Sequence, residues 1–97
     1  MNLTSALLKQ IITQEDFESW GNLRENYLSA EYQSLYKVID KHIKSYNGLP
    51  TFEDLKLSIR DRKLQEKVFA IEAVEVEVDA YVLLEYLKNE YTQVEIL

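Results

Sequence analysis

The chain has 97 residues, a formal net charge of −6 and no cysteine, so disulfides, thiol catalysis and thiolate metal sites are excluded. An acidic chain repels a phosphate backbone, and we expect no direct nucleic-acid binding. Two glycines and one proline leave few helix breakers and cannot form a glycine-rich phosphate loop. We therefore expect an all-α protein without a cofactor, a compact bundle of about five or six short helices forming a single domain over residues 1–97.

The first two helices are predicted near the start of the chain. The first covers residues 3–13, and its apolar side chains occupy about half of its circumference, which indicates packing on more than one side. The second covers residues 15–20, where Glu15 and Asp16 would oppose the positive N-terminal end of the helix dipole. Gly21 and the asparagine after it would end this helix.

The same region carries no targeting or membrane signal. It lacks the basic flank of a signal peptide, and Lys9 and Gln10 interrupt its apolar residues. We expect a soluble, cytoplasmic protein that does not contact a membrane.

The clearest element is predicted over residues 30–46, with Ser29 as its N-cap. Its apolar side chains fall within an arc of about 120°, as in a core-facing helix. They are Tyr32, Leu35, Tyr36, Ile39, His42, Ile43 and Tyr46. The opposite face carries Lys37, Lys41 and Lys44. Gly48 would take the left-handed position after the helix, and Pro50 cannot continue it.

Two further helices follow the proline. Thr51 is predicted to cap the first, with Asp54 completing a shortened capping box. Its apolar contacts would come from Phe52, Leu55, Leu57 and Ile59. The polar residues 60–63 form a junction to the next helix, which would bury one face and direct Phe69 elsewhere. The buried face carries Leu64, Val68 and Ile71.

Residues 74–78 alternate Val and Glu as a strand would. No second strand is evident, so we interpret them as an extended connector. Asp79 is predicted to cap the last helix, residues 80–94. Its core face would hold Ala80, Leu83, Leu84, Leu87, Tyr91 and Val94. Val82 and Tyr86 flank this face, and Tyr81 lies opposite it.

The sequence predicts surfaces for partners and no catalytic site. His42, the one histidine, is either a half-buried packing residue or a metal or proton-relay group. The adjacent carboxylates Glu15/Asp16 and Glu53/Asp54 could act as acid and base, but their positions at helix starts are better explained by capping and the helix dipole. We therefore expect no enzyme activity. For the lysine face there are three interpretations: a solvated face, a surface for an acidic partner, or a contact with DNA. For Tyr81 there are two: an ordinary surface tyrosine or an anchor of a protein interface. The candidate partner-binding residues are Lys37, Lys41, Lys44, Arg60, Arg62, Tyr81, Val82 and Tyr86.

One stretch carries a more specific likeness. Residues 32–55 read YQSLYKVIDKHIKSYNGLPTFEDL. With the apolar helix before residues 15–17 and the closing helix over residues 81–91, they resemble the N-terminal domain of DnaB-type replicative helicases, particularly those of large tailed phages. In that family the head domains form a collar on the hexameric ring and receive a primase or a helicase loader. A separate ATP-hydrolysing domain moves along DNA.

The resemblance implies a docking and assembly domain of a DNA-replication helicase, without its own ATPase site. The phosphate-binding loop and the helical hairpin after the head are absent, so we expect the head alone of a longer, ATP-dependent helicase. Its expected partners are other helicase subunits and a primase or loader of the primosome. The isolated chain would then be a monomer or weak dimer. The alternative is a free-standing small acidic accessory protein, such as a helicase loader or inhibitor.

Overall fold

A computed structural model describes the backbone of residues 2–96 and the side chains of residues 2–91. Within these residues it has six α-helices and no strand, which confirms the all-α prediction. They are α1 (Leu3–Gln14), α2 (Phe17–Asn22), α3 (Ala30–Tyr46), α4 (Phe52–Ser58), α5 (Arg62–Ala73) and α6 (Ala80–Ile96). The radius of gyration of 12.8 Å is close to the roughly 13 Å of a compact domain of this length.

Helix α1 forms the centre of the bundle and is buried on nearly every side. Its buried residues are Thr4, Ser5, Ala6, Leu7, Leu8, Gln10, Ile11 and Ile12. It packs against α2, α5 and α6, and the Ser5 hydroxyl lies 2.9 Å from that of Tyr32 in α3. The predicted packing on more than one side is confirmed.

The junction between α1 and α2 differs from the prediction. Glu15 does not begin α2, because it has a left-handed backbone (φ 51°) and ends α1. Asp16 is the N-cap of α2, and its carboxylate accepts the N–H of Ser19. Of the pair predicted to end α2, Gly21 still lies within the helix and Asn22 is its last residue. The C-cap is Leu23, which adopts an extended backbone and is buried.

A short segment of structure lies between α2 and α3 that the sequence did not predict. Residues Glu25–Tyr27 form a 3-10 turn, and Leu28 after it is buried like Leu23 before it. The two leucines hold the turn against the core. The turn also packs on α6, because the rings of Tyr27 and Tyr91 lie 5.0 Å apart.

Helix α3 has the predicted bounds, and its stripe is buried only in part. Tyr32, Leu35 and Ile39 are buried, whereas Tyr46 is 73% exposed, so the prediction of a core position was wrong there. Asn47, not Gly48, takes the left-handed position (φ 59°), because Asn tolerates this conformation well.

Helix α4 begins with the predicted capping box, formed by Thr51 and Asp54. Leu55 and Ile59 are buried, but Leu57 is 82% exposed and makes no core contact. It lies about 200° around the helix from Leu55, on the opposite side. The prediction that Leu57 makes apolar contacts was therefore wrong, because it rested only on the apolar character of the residue.

Helix α5 begins at a cap that the polar junction supplies. The Asp61 carboxylate accepts the N–H groups of Lys63 and Leu64. Val68 and Ile71 are buried and Leu64 is half-buried. Phe69 is 52% exposed, as expected for a residue off the core face.

Residues 74–78 form the predicted extended connector and contain no strand. Polar side chains of α1 hold this connector in place. The Lys9 ammonium donates to the carbonyl of Glu72 just before the connector, and the Gln10 amide donates to that of Val78 at 2.8 Å. The Glu72 carbonyl is one of the last four of α5, which have no partner within the helix. The Val78 carbonyl is one that a partner strand would otherwise pair.

Helix α6 follows the connector and packs on α1. The N–H groups of Val82 and Leu83 donate to the Asp79 carbonyl, and the Asp79 carboxylate accepts from the Gln14 amide at 3.1 Å. The buried side chains of α6 are Ala80, Leu83, Leu84 and Leu87. The predicted core position Val94 lies outside the residues whose side chains are described.

Candidate functional site

Two of the five predicted basic residues are neutralised by acidic neighbours on their own helices. The Lys44 ammonium lies 2.9 Å from the Asp40 carboxylate, and this hydrogen bond raises the pKa of Lys44. Arg62 Nε lies 3.7 Å from the Glu66 carboxylate. Both cations are therefore less available to a partner than their exposure suggests.

Lys41 and Arg60, in contrast, have no ion-pair partner among the described side chains and line the same groove. This groove runs between α3 and the junction of α4 with α5 and has a volume of about 390 Å³. Val38, Ile59 and Leu64 supply its apolar wall. We call it the basic groove.

Lys37 is exposed and does not line the basic groove. It lies one turn before Lys41 on the same helix. The three lysines therefore share one face of α3 but have different surroundings: Lys41 lines the basic groove, Lys44 pairs with Asp40, and Lys37 does neither.

The carboxylates near the basic groove are already engaged. Asp54 accepts the backbone N–H of Thr51 at 3.0 Å, and this hydrogen bond lowers the pKa of Asp54. Asp61 accepts from two N–H groups at the start of α5. Both carboxylates remain negatively charged while they accept these bonds, and Lys41 and Arg60 are the cations of the groove that have no ion pair among the described side chains.

His42 stands at the wall of the groove and is half-buried, with 20% of its side chain exposed. Its ring packs on that of Tyr46, with centroids 4.7 Å apart, and Nε2 lies 4.0 Å from the Asp54 carboxylate. This agrees with a packing residue at the edge of the stripe. Within residues 2–91, no group of three or more His, Asp or Glu side chains is placed to hold a metal ion.

The three candidates on α6 lie away from the groove and do not form one surface. Tyr81 is 61% exposed and Tyr86 is 59% exposed, while Val82 is half-buried. Five residues correspond to about 140° around a helix, so the two tyrosines occupy different sides. Tyr81 lines a shallow hollow with Glu18 of α2.

The structure therefore brings together Lys41 and Arg60, and it leaves the other predicted site residues apart. Sequence reasoning missed Tyr46 and Leu57, which lie at one end of the basic groove. Helical spacing contained a signal for Leu57, because two residues on from a buried position is the opposite face. Helical spacing gave no signal that Tyr46 is exposed, because Tyr46 lies on the same apolar stripe of α3 as the buried Ile39.

No helix within the described part of the chain is both long and apolar enough to cross a membrane. No protein-family model matches the chain, and neither a curated protein nor a solved structure matches it.

Proposed function

We propose that the chain is a protein-docking domain, and that it serves as the N-terminal head of a DnaB-type replicative helicase, where it receives a primase or a helicase loader. The observation that carries the docking role is the exposure of Tyr81 and Tyr86 on α6. Tyrosine is enriched in protein interfaces, because it combines a large apolar ring with a hydrogen-bonding group.

Helix α6 is well suited to present these side chains rigidly. Leu83, Leu84 and Leu87 fix its core face. Tyr81 and Tyr86 flank that face on its two sides, so little backbone entropy would be lost when either side binds a partner. The proposed place in a helicase is supported by the resemblance of residues 32–55. It is also supported by their structure, in which α3 is joined to the short helix α4 by a turn that contains Pro50.

Calorimetry with the primase and the loader encoded in the same genome tests the proposal. We expect one of them to bind with a dissociation constant of about 1–100 µM, as for a transient interface. Tyr81→Ala or Tyr86→Ala should weaken binding about fivefold or more if either is an anchor. Phe69→Ala removes an aromatic ring of similar exposure from α5 and is the matched control.

Charge reversal tests the basic residues separately. Lys37→Glu, Lys41→Glu and Lys44→Glu combined should weaken the same complex and make it less sensitive to salt. Unchanged affinity would remove the lysine face from the docking surface.

Two results would contradict the proposal in different ways. If neither primase nor loader binds the folded chain, the helicase setting is wrong. If instead the chain binds an assembled helicase hexamer, it acts as a free-standing accessory protein. Sequencing the gene beyond the codon for Leu97 separates these cases, because a helicase head requires a phosphate-binding loop downstream.

A further inference from the structure

Two large apolar side chains remain in water at one end of the basic groove. Tyr46 is 73% exposed and Leu57 is 82% exposed. Both line a hollow beside His42, and this hollow joins the basic groove because Tyr46 and His42 line both. When a partner buries apolar surface of this kind, the free energy of the complex is lowered.

The charges along the groove indicate the chemistry of that partner. Lys41 and Arg60 are free of ion pairs among the described side chains, whereas Asp54 and Asp61 accept capping bonds. A partner with carboxylates would pair with the free cations without displacing an existing bond. Such pairs favour one orientation and speed association, although each adds little affinity.

A nucleic-acid strand fits this groove poorly. It would meet only two free cations, and the carboxylate of Asp61 stands among the lining residues. The wall of Val38, Ile59 and Leu64 offers no group that a phosphate could contact. The net charge of −6 would oppose a polyanion at longer range, and it would oppose a short segment with a few carboxylates less, because that segment carries fewer charges.

We infer that the basic groove binds an acidic, amphipathic segment of a partner protein. Its apolar side chains lie along Val38, Ile59 and Leu64 and cover Tyr46 at the open end. Its carboxylates lie beside Lys41 and Arg60. This inference rests on the proposed docking function, and it assigns that function a second surface, separate from Tyr81 and Tyr86.

Peptide selection on the complete chain tests the assignment while the partner protein is still unidentified. The probe is a display library of random peptides of about 16 residues, enough for roughly four helical turns. We expect the selected peptides to be enriched in Asp and Glu together with Leu and aromatic residues. Titrated into the isotope-labelled chain, they should shift the backbone amide signals of Lys41, Tyr46, Leu57 and Arg60.

Paired variants separate a specific site from general charge attraction. Lys41→Glu with Arg60→Glu should weaken peptide binding roughly five- to thirtyfold, because two attractions become repulsions. Arg24→Glu with Lys63→Glu makes the same charge change at exposed positions outside the groove and should change binding less than about twofold. Leu57→Ser should also weaken binding, and its exposed position leaves folding intact.

Each contrary outcome identifies which idea fails. Peptide-induced shifts around Tyr81 and Tyr86 would overturn the groove assignment and leave the docking function standing. The same holds if the chain binds the primase or loader with unchanged affinity after Lys41→Glu with Arg60→Glu. Binding of short single-stranded DNA that depends on Lys41 and Arg60 would assign the groove to nucleic acid. If neither peptides nor the named proteins bind, both the inference and the docking function are wrong.

Discussion

The first half of α3 and its last turn carry the same apolar stripe and meet different surroundings. In the first half, the Tyr32 hydroxyl lies 2.9 Å from that of Ser5, and the ring of Tyr36 stacks on Trp20 at 4.6 Å. The last turn ends in Tyr46 beside the open basic groove. Helical spacing therefore defines a face, whereas burial depends on which element covers each turn of it.

The largest expected effect lies at Ile39, in the middle of α3. Ile39 is fully buried, and Ile39→Ala should lower the free energy of unfolding by about 2–5 kcal/mol, because it removes apolar contacts and leaves a cavity. Urea denaturation monitored by the fluorescence of Trp20, the one tryptophan, measures the change. A loss below about 1 kcal/mol would mean that this part of the stripe is not core.

A smaller effect is expected at the hydrogen bond between α1 and α3. Tyr32→Phe removes the hydroxyl that pairs with Ser5 Oγ in a buried site, and should cost about 1–2 kcal/mol in unfolding free energy. Tyr36→Phe is the matched control on the same helix, since the Tyr36 contact is a ring stack. Equal losses in the two variants would show that the hydroxyl pair contributes nothing specific.

Most helices were predictable because their signals are local. The capping box of Thr51 and Asp54 and the spacing of Leu35 and Ile39 are properties of neighbouring residues, and they place α3 and α4 correctly. The start of α2 was not predictable in the same way. Glu15 and Asp16 have similar dipole preferences, and only the left-handed backbone of Glu15 separates the end of α1 from the cap of α2.

The candidate site was less predictable, because it depends on contacts between distant elements. The sequence could identify Lys41 and Arg60 as exposed cations, but only the packing of α3 against the α4 and α5 junction brings them to one groove. The ion pair of Lys44 with Asp40 follows helical spacing and could have been anticipated. The exposure of Tyr46 could not, since it depends on where the covering elements end.

A modest, pH-dependent effect is expected where α4 begins beside the open end of α3. The pKa of Asp54 is lowered from its ordinary value of 3.8, mainly by the hydrogen bond from the backbone of Thr51. Its contribution to stability is therefore present above the unfolded-state pKa and is lost as pH falls through the lower pKa of the folded state. Asp54→Asn should cost about 0.5 kcal/mol near neutral pH, where the charge favours the helix N-terminus.

Below about pH 4 the difference between this variant and the unmodified chain should shrink, because the carboxyl becomes neutral in both the folded and the unfolded state. Thermal unfolding followed by circular dichroism across this range measures it. Glu77→Gln, at an exposed position of the connector, is the control and should show no such trend. A constant difference for Asp54→Asn would assign its effect to lost geometry and not to charge.

The smallest expected change in stability lies in the last turn of α3. Tyr46→Ala should alter the free energy of unfolding by less than about 0.5 kcal/mol, because an exposed side chain loses little contact area on truncation. Leu57→Ala, across the hollow from it, should behave in the same way, and the urea series used for Ile39→Ala places all three on one scale. A loss above about 1 kcal/mol at Tyr46 would mean that the last turn is covered in solution. The first half of α3 and its last turn would then not differ in burial, and Tyr46 would no longer be available to a partner at the basic groove.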